Sequence, residues 1–236
     1  MVQNLYDNNT ATISGKISSE LVFSHEVYGE GFYYFLLDVK RLSDSCDRIP
    51  VTVSERLAGF SEYVKDRYIE VEGQFRSYNA AAGHGNKLLL TVFAREVKFI
   101  DNSAEQKQLN QIVLNGYICK VPIYRTTPFG REIADILLAV NRSYNKSDYI
   151  PCISWGRNAR YCGSMTVGDN VKVTGRIQSR EYQKKYQNGD VITRTAYEIS
   201  VSKLEFSGAV RNPANESEAT ESESDSSQQD VIANEK

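Results

Sequence analysis

The sequence predicts an all-β protein made of two copies of one small, partly open five-stranded barrel, each copy carrying a short helix, with an acidic segment after the second. Three observations predict it. The chain repeats itself at a fixed offset, its apolar residues alternate with period two through most of both copies, and residues 212–236 are charged and nearly devoid of apolar side chains.

The repeat organises everything else. Aligning ISGKI (13–17) with LNGYI (114–118) pairs Gly15 with Gly116, an offset of 101. At that offset, without a gap, FLLDVKR (35–41) falls on ILLAVNR (136–142), and DRIPVTVS (47–54) falls on DYIPCISW (148–155). With one residue inserted, YIEVEGQFRS (68–77) lies on NVKVTGRIQS (170–179). Chance does not hold a register this long. The expected organisation is a first unit over 1–100, a polar linker DNSAEQKQLN over 101–110, a second unit over 111–207 and a tail over 208–236. The tail cannot bury enough apolar surface to offset the entropy of ordering, so it is expected to be disordered.

Within the first copy, TATISGKIS, GFYYFLLDVKR and IPVTVS read as three strands, rich in β-branched and aromatic residues. ERLAGFSEYV reads as the helix, and YIEVEGQFRS and LLLTVFAREVKF as the fourth and fifth strands. The second copy repeats this order with GRNARYCGS as its helix. Five strands with a helix between the third and fourth is the order of an OB-fold. Asn188-Gly189 marks a type I′ hairpin between the fourth and fifth strands of the second copy. That connection is one through which OB-folds meet oligonucleotides.

Composition narrows the function. The start MVQNLYDNNT has neither a basic nor an apolar leader, and no run reaches the roughly 18 apolar residues of a membrane span, so a soluble cytoplasmic protein is expected. Cys46, Cys119, Cys152 and Cys162 form no CxxC pair, and the histidines are His25 and His84. No metal or cofactor is expected, and with no G-x-S-x-G, Walker A or Rossmann signature no enzyme is either. The net charge of -2 conceals a partition: residues 1–109 hold 12 basic and 15 acidic side chains, residues 110–211 hold 15 and 8, and residues 212–236 hold seven acids against Lys236. The second unit is therefore the candidate for a polyanionic partner.

Its aromatics fit that partner. Tyr144 ends the second strand of this copy, Tyr149 and Trp155 sit on the third, and Tyr182 stands at the base of the long hairpin. Every base offers a π-face, so exposed rings bind single strands without reading sequence. Arg125, Arg142, Arg157, Arg160, Arg176, Arg180, Lys184 and Lys185 lie near these rings in sequence and could track phosphates. Tyr and Trp serve equally as core or cross-strand partners, and that reading competes with stacking for each residue singly.

The runs ADILLAVNRSY, DYIPCISWGRNA and GDNVKVTGRIQSREY, in that order, resemble the signature of bacterial single-stranded DNA-binding proteins. The resemblance covers nearly all of the second unit. It implies that Tyr144, Tyr149, Trp155 and Tyr182 stack on DNA. It also implies a nucleoid-associated protein of replication, recombination and repair, and self-association to four OB-folds, which a tandem chain reaches as a homodimer. The family's tail, which recruits replication and repair proteins, usually closes on Ile-Pro-Phe; this chain ends DVIANEK. Subtracting the repeat offset from the four aromatic positions gives Ser43, Arg48, Ser54 and Ala80, so the first unit is expected to be degenerate for stacking and to supply assembly. Its own Tyr28, Phe32, Tyr33, Tyr34 and Phe35 are expected in core or interface. Three alternatives stay open at this level: an accessory primosomal or mobile-element protein, an RNA-binding protein, and a purely structural interaction module.

Overall fold

The computed structural model describes residues 8–209 apart from 44, 58, 83–84 and 186–190. The Asn188-Gly189 turn and the tail beyond Ala209 therefore lie outside the described residues. The first half contains β1 (Asn9–Ile17), β2 (Val22–Val27), β3 (Glu30–Lys40), β4 (Cys46–Ser54), β5 (Tyr68–Ala82) and β6 (Gly85–Phe99). The second contains β7 (Asn110–Ile118), β8 (Ile123–Thr126), β9 (Glu132–Arg142), β10 (Lys146–Trp155), α1 (Arg157–Cys162), β11 (Asp169–Lys185) and β12 (Val191–Ala209). Among the described residues no helix is long and apolar enough to cross a membrane.

Each half closes in the same way. β1 pairs with both β3 and β5, and β4 meets β6 in parallel; β7 pairs with β9 and β11, and β10 meets β12 in parallel. Alternation aims one face of each strand inward, so Ile13, Phe35, Leu37, Val51, Val71 and Phe75 fill the first barrel and Leu114, Leu138, Val140, Ile150, Val173 and Ile199 the second. Gly15 and Gly116, the pair that anchors the repeat, stand where the first strand crosses onto the third element of each half. A Cβ on Gly15 would lie 2.2 Å from the carbonyl oxygen of Asp38, and one on Gly116 2.8 Å from that of Ala139. Only glycine allows the backbones to approach that closely.

Two expectations change. Among its described residues the segment ERLAGFSEYV forms no α-helix in the first half and holds one 3-10 turn, Phe60–Glu62. Gly59 interrupts the helical run, and Tyr63 turns into the core, with its ring 5.5 Å from Phe35 and 5.3 Å from Phe99. Burial raises the Tyr63 phenol to a pKa of about 12. GRNARYCGS does form a helix, the six-residue α1, which buries Ala159 and Cys162. In addition, β2 and β8 are short arms that extend β3 and β9 into hairpins at the two ends of one continuous sheet, ordered β2-β3-β4-β6-β5-β1-β7-β11-β12-β10-β9-β8. The β2–β3 turn places Tyr28 and Gly29 both at positive φ, as a two-residue type I′ turn requires.

The halves join through β1 and β7, antiparallel, with Ala11 opposite Ile112. These two residues are repeat equivalents, so the pairing is its own mirror: Asn9 faces Leu114 and Asn110 faces Ile13. Asn9 and Asn110 are also equivalents, and both do the same work. The register that sets Ala11 against Gly73 would put Asn9 opposite Phe75, and there the Asn9 carboxamide makes both bonds of the missing rung, at 2.8 and 2.9 Å to the Phe75 backbone. Asn110 makes the matching pair to Ile177, both at 2.8 Å. Asn9 is 2% exposed whereas Asn110 is only half-buried. Asn9→Ala is therefore expected to cost about 1–3 kcal/mol, because it strands two buried backbone groups, and Asn110→Ala less, because water can reach its rung. Urea denaturation of the two variants checks the order.

Candidate nucleic-acid interface

The β9–β10 hairpin carries three of the four rings singled out in the sequence. β10 turns Asp148, Ile150, Cys152 and Ser154 inward and leaves Tyr149 and Trp155 outward, 45% and 39% exposed. They share one face of one strand, six residues apart, which at about 3.3 Å per residue separates them by roughly 20 Å. Their cross-strand partners are Ala139 and Ile133. Tyr144 stands in the turn before β10, 94% exposed with φ of 62°, and Asn145 follows it at 53°. Gly156, with φ of 55°, swings the chain from Trp155 straight into α1, which leaves Arg157, Arg160 and Tyr161 outward. Burial pushes the Cys152 thiol beneath this surface well up and raises that of Cys162. They serve as small apolar groups.

Tyr182 lies elsewhere. It is on β11, paired with Arg194, three residues beyond Ser179, and Ser179 touches the first barrel: its N–H donates to Asp47 Oδ1 at 2.7 Å. Tyr182 is 38% exposed, and Lys184 and Lys185 continue the same strand, pairing through their backbones with Ile192 and Val191.

The cations divide into two groups. Arg142 and Arg176 are held at the seam between the barrels, by Asp148 at 3.2 Å and by Asp47 at 3.2 Å, and both carboxylates are fully buried. Asp47 also takes two bonds from Arg41. Burial raises the Asp148 carboxyl above its ordinary value even though it accepts from Ser77. The second group is on the surface. Arg125, Arg160 and Arg180 pair with Asp135, Glu132 and Glu198 at 3.0, 2.7 and 3.9 Å. The guanidinium of each faces solvent, the Asp135 side chain is 40% exposed and Glu132 and Glu198 are half-buried, and surface pairs of this kind contribute little to stability. Arg157 is exposed and has no ion pair among the described residues.

Sequence reading missed the tip of the β8–β9 hairpin. Phe129 is 92% exposed there, beside Gly130 at φ of 73°, in a turn closed by hydrogen bonds between Thr127 and Arg131. The signal was the Thr-Pro-Phe-Gly run between two strand-like segments. At the base of this hairpin Tyr124 donates to Glu132 at 2.6 Å and Arg160 donates to the other oxygen at 2.7 Å. The tyrosine bond and the guanidinium hold the Glu132 carboxyl below its usual range. The arm is thereby tied to α1.

At the equivalent places the first barrel has polar contacts. Ser43 bonds Ser45, Arg48 pairs with Asp38, and Ser54 donates to Glu30; the Ala80 side chain lies outside the described residues. Phe35 is core, while Tyr28 and Tyr34 are exposed. Phe32 instead stacks on His25 at 5.0 Å and leans on Phe93 at 5.6 Å, and the Arg76 guanidinium covers Phe93 at 4.0 Å.

Twin barrels joined through their first strands, one of them bearing outward rings among surface cations, define a tandem OB-fold protein. Residues 109–207 match the model of the single-strand binding protein family. Single-stranded DNA-binding protein 1 of Staphylococcus aureus is 35% identical over 111 residues, which are 44% of this chain and 66% of that one. Single-stranded DNA-binding protein B of Bacillus subtilis is 37% identical over 86 residues, 32% of this chain and 74% of that one. In fold, the wild-type single-stranded DNA binding protein of Thermus aquaticus superimposes with a TM-score of 0.68 at 20% identity, covering 87% of this chain and 94% of that one. The chain belongs to the single-strand binding protein family.

Tyr144 pays for its position with a left-handed backbone that a bulky residue adopts at a cost. Tyr144→Gly is expected to raise the stability of the fold by about 0.5–1 kcal/mol while it removes the ring. Thermal unfolding checks the sign.

Proposed function

We propose that this chain binds single-stranded DNA with little sequence preference and protects and organises it during replication, recombination and repair. One observation carries the reading: Tyr144, Tyr149 and Trp155 stand outward on a single hairpin beside Arg125, Arg157 and Arg160, of which Arg157 has no ion pair among the described residues and the other two are in surface pairs. Such a surface offers π-faces to bases and replaceable counterions to phosphates. In this reading the function is stoichiometric.

In this reading the interface consists of Tyr144, Tyr149 and Trp155 with Arg125, Arg157 and Arg160. Phe129 joins them from the β8–β9 tip. Tyr182, Arg180, Lys184 and Lys185 form a second stretch on the β11 hairpin. Arg142 and Arg176 hold the seam. Residues 1–100 and 111–207 are the two barrels, residues 208–236 a tail, and the intact protein is a cytoplasmic homodimer with four OB-folds. The names of the relatives and the family match support the choice of single-stranded DNA as ligand.

Titrating intrinsic fluorescence with oligo-dT, with matched RNA and with duplex tests the reading. Strong quenching by oligo-dT alone is expected; equal quenching by RNA overturns the DNA assignment, and silence to all three overturns the function. Trp155→Ala and Tyr149→Ala are each expected to weaken oligo-dT binding by about 1–3 kcal/mol with the fold intact. Circular dichroism separates that loss from unfolding. A plot of log affinity against log salt is expected to slope at about -2 if the three arginines beside the β9–β10 rings make the phosphate contacts and at about -4 if all six cations do, since each phosphate contact on a single strand contributes about 0.7. A flat line would remove the surface arginines from the interface.

A further inference from the structure

We propose that Ser77 of the first barrel is a positioning residue for Tyr149 of the second, through a hydrogen-bond chain that crosses the seam. The proposal rests on the reading of Tyr149 as a base-stacking residue. The backbone N–H of Tyr149 is given to Ser77 Oγ at 2.8 Å, while on the other side of its strand Tyr149 pairs with Ala139 of β9. The Ser77 hydroxyl then donates to Asp148 Oδ1 at 3.3 Å, and the Ser77 N–H reaches the same oxygen at 2.7 Å. Arg142 donates to that oxygen as well, at 3.2 Å. Asp148 is fully buried and its second oxygen has no partner among the described residues.

A strand pinned on both sides fixes the Cα–Cβ direction of the residue between, and a ring held ready for a base loses less freedom on binding than one that must be ordered. The first barrel thus helps to set a ring it does not own. Removing only the hydroxyl tests this cleanly. In Ser77→Ala the Ser77 N–H bond to Asp148 remains possible for the alanine backbone, and the contact between Arg142 and the Tyr78 ring at 5.9 Å is untouched. What disappears is the acceptor for the Tyr149 N–H.

The experiment is a set of double-mutant cycles on the intact protein, read by anisotropy of labelled oligo-dT. Ser77→Ala is expected to weaken binding about three- to tenfold, the size of one lost hydrogen bond. Ser77→Thr, which keeps the hydroxyl, is expected to bind like the parent. In a Tyr149→Ala background the Ser77→Ala effect is expected to shrink below about twofold, and in a Trp155→Ala background to persist in full. A seam that merely held the fold together would weaken binding equally in both backgrounds, and that result overturns the proposal, as does a Thr variant no better than Ala. Ser77→Cys, a weak acceptor of similar volume, replaces the alanine variant if that fails to fold. A parent that ignores oligo-dT overturns the functional reading and this inference with it; a parent that binds without coupling between Ser77 and Tyr149 overturns this inference alone.

Discussion

Everything in the molecule depends on β1 pairing with β7 at a register that maps onto itself. Because Ala11 and Ile112 are repeat equivalents facing each other, whatever one barrel does to the other must be done in return. β5 of the first barrel reaches β10 of the second through Ser77 and Asp148, and β11 of the second reaches β4 of the first through Ser179 and Asp47. Those contacts are the same contact made twice. A two-fold homodimer interface would have this form, with one chain supplying both sides. Covalent linkage removes the translational entropy that two separate chains would lose, so the seam need not be large.

Duplication left the two stations free to diverge, and they have. Asp47 is surrounded by Arg41 and Arg176, and both its oxygens are used. Asp148 draws on Arg142 and Ser77 with one oxygen and leaves the other without a partner among the described residues. A buried carboxylate is weak evidence for stability, since its desolvation offsets most of the gain. Its use here is registration: it fixes which rung of β5 meets which rung of β10. The less satisfied station is the one beside Tyr149, and the fully satisfied one faces Arg48, where the first barrel has no ring. Of the two seam stations, the incompletely satisfied one is therefore the one on the side that carries the outward aromatics.

Most of this architecture could be read without coordinates. The Gly15–Gly116 offset found the two halves, and alternation found the ten long strands, because a half-buried strand writes its faces directly into residue order. The rings at 149 and 155 were legible as aromatics on the third strand of the second copy, and Tyr144 as the aromatic closing the run ADILLAVNRSY, whose resemblance to the family signature drew attention to all three. The short arms β2 and β8 were not, since Val22–Val27 is exposed on both faces and leaves no period to detect. The helix in ERLAGFSEYV failed because local propensity was overruled by Tyr63, which finds more apolar contact in the core than on a helix. The roles of Arg142 and Arg176 were illegible in principle. A sequence shows charge and not its partner, and theirs are 6 and 129 residues away.

That last failure alters what the charge partition means. Residues 110–211 hold seven more basic than acidic side chains, yet Arg176 neutralises Asp47 of the other barrel, and Arg142 is held by Asp148. The Asp148 charge is already inside that count, so it is the pairing of Arg176 with Asp47 of the first barrel that makes the excess available to a ligand smaller than the count. The first barrel in turn is less acidic in place than in sequence, because Asp47 is fully buried against the second. Net charge by segment therefore overstates how differently the two barrels present themselves to a polyanion. The difference that survives folding is chemical: where the second barrel turns Tyr149 and Trp155 outward, the first turns Arg48 and Ser54, each already bonded to a carboxylate of its own barrel.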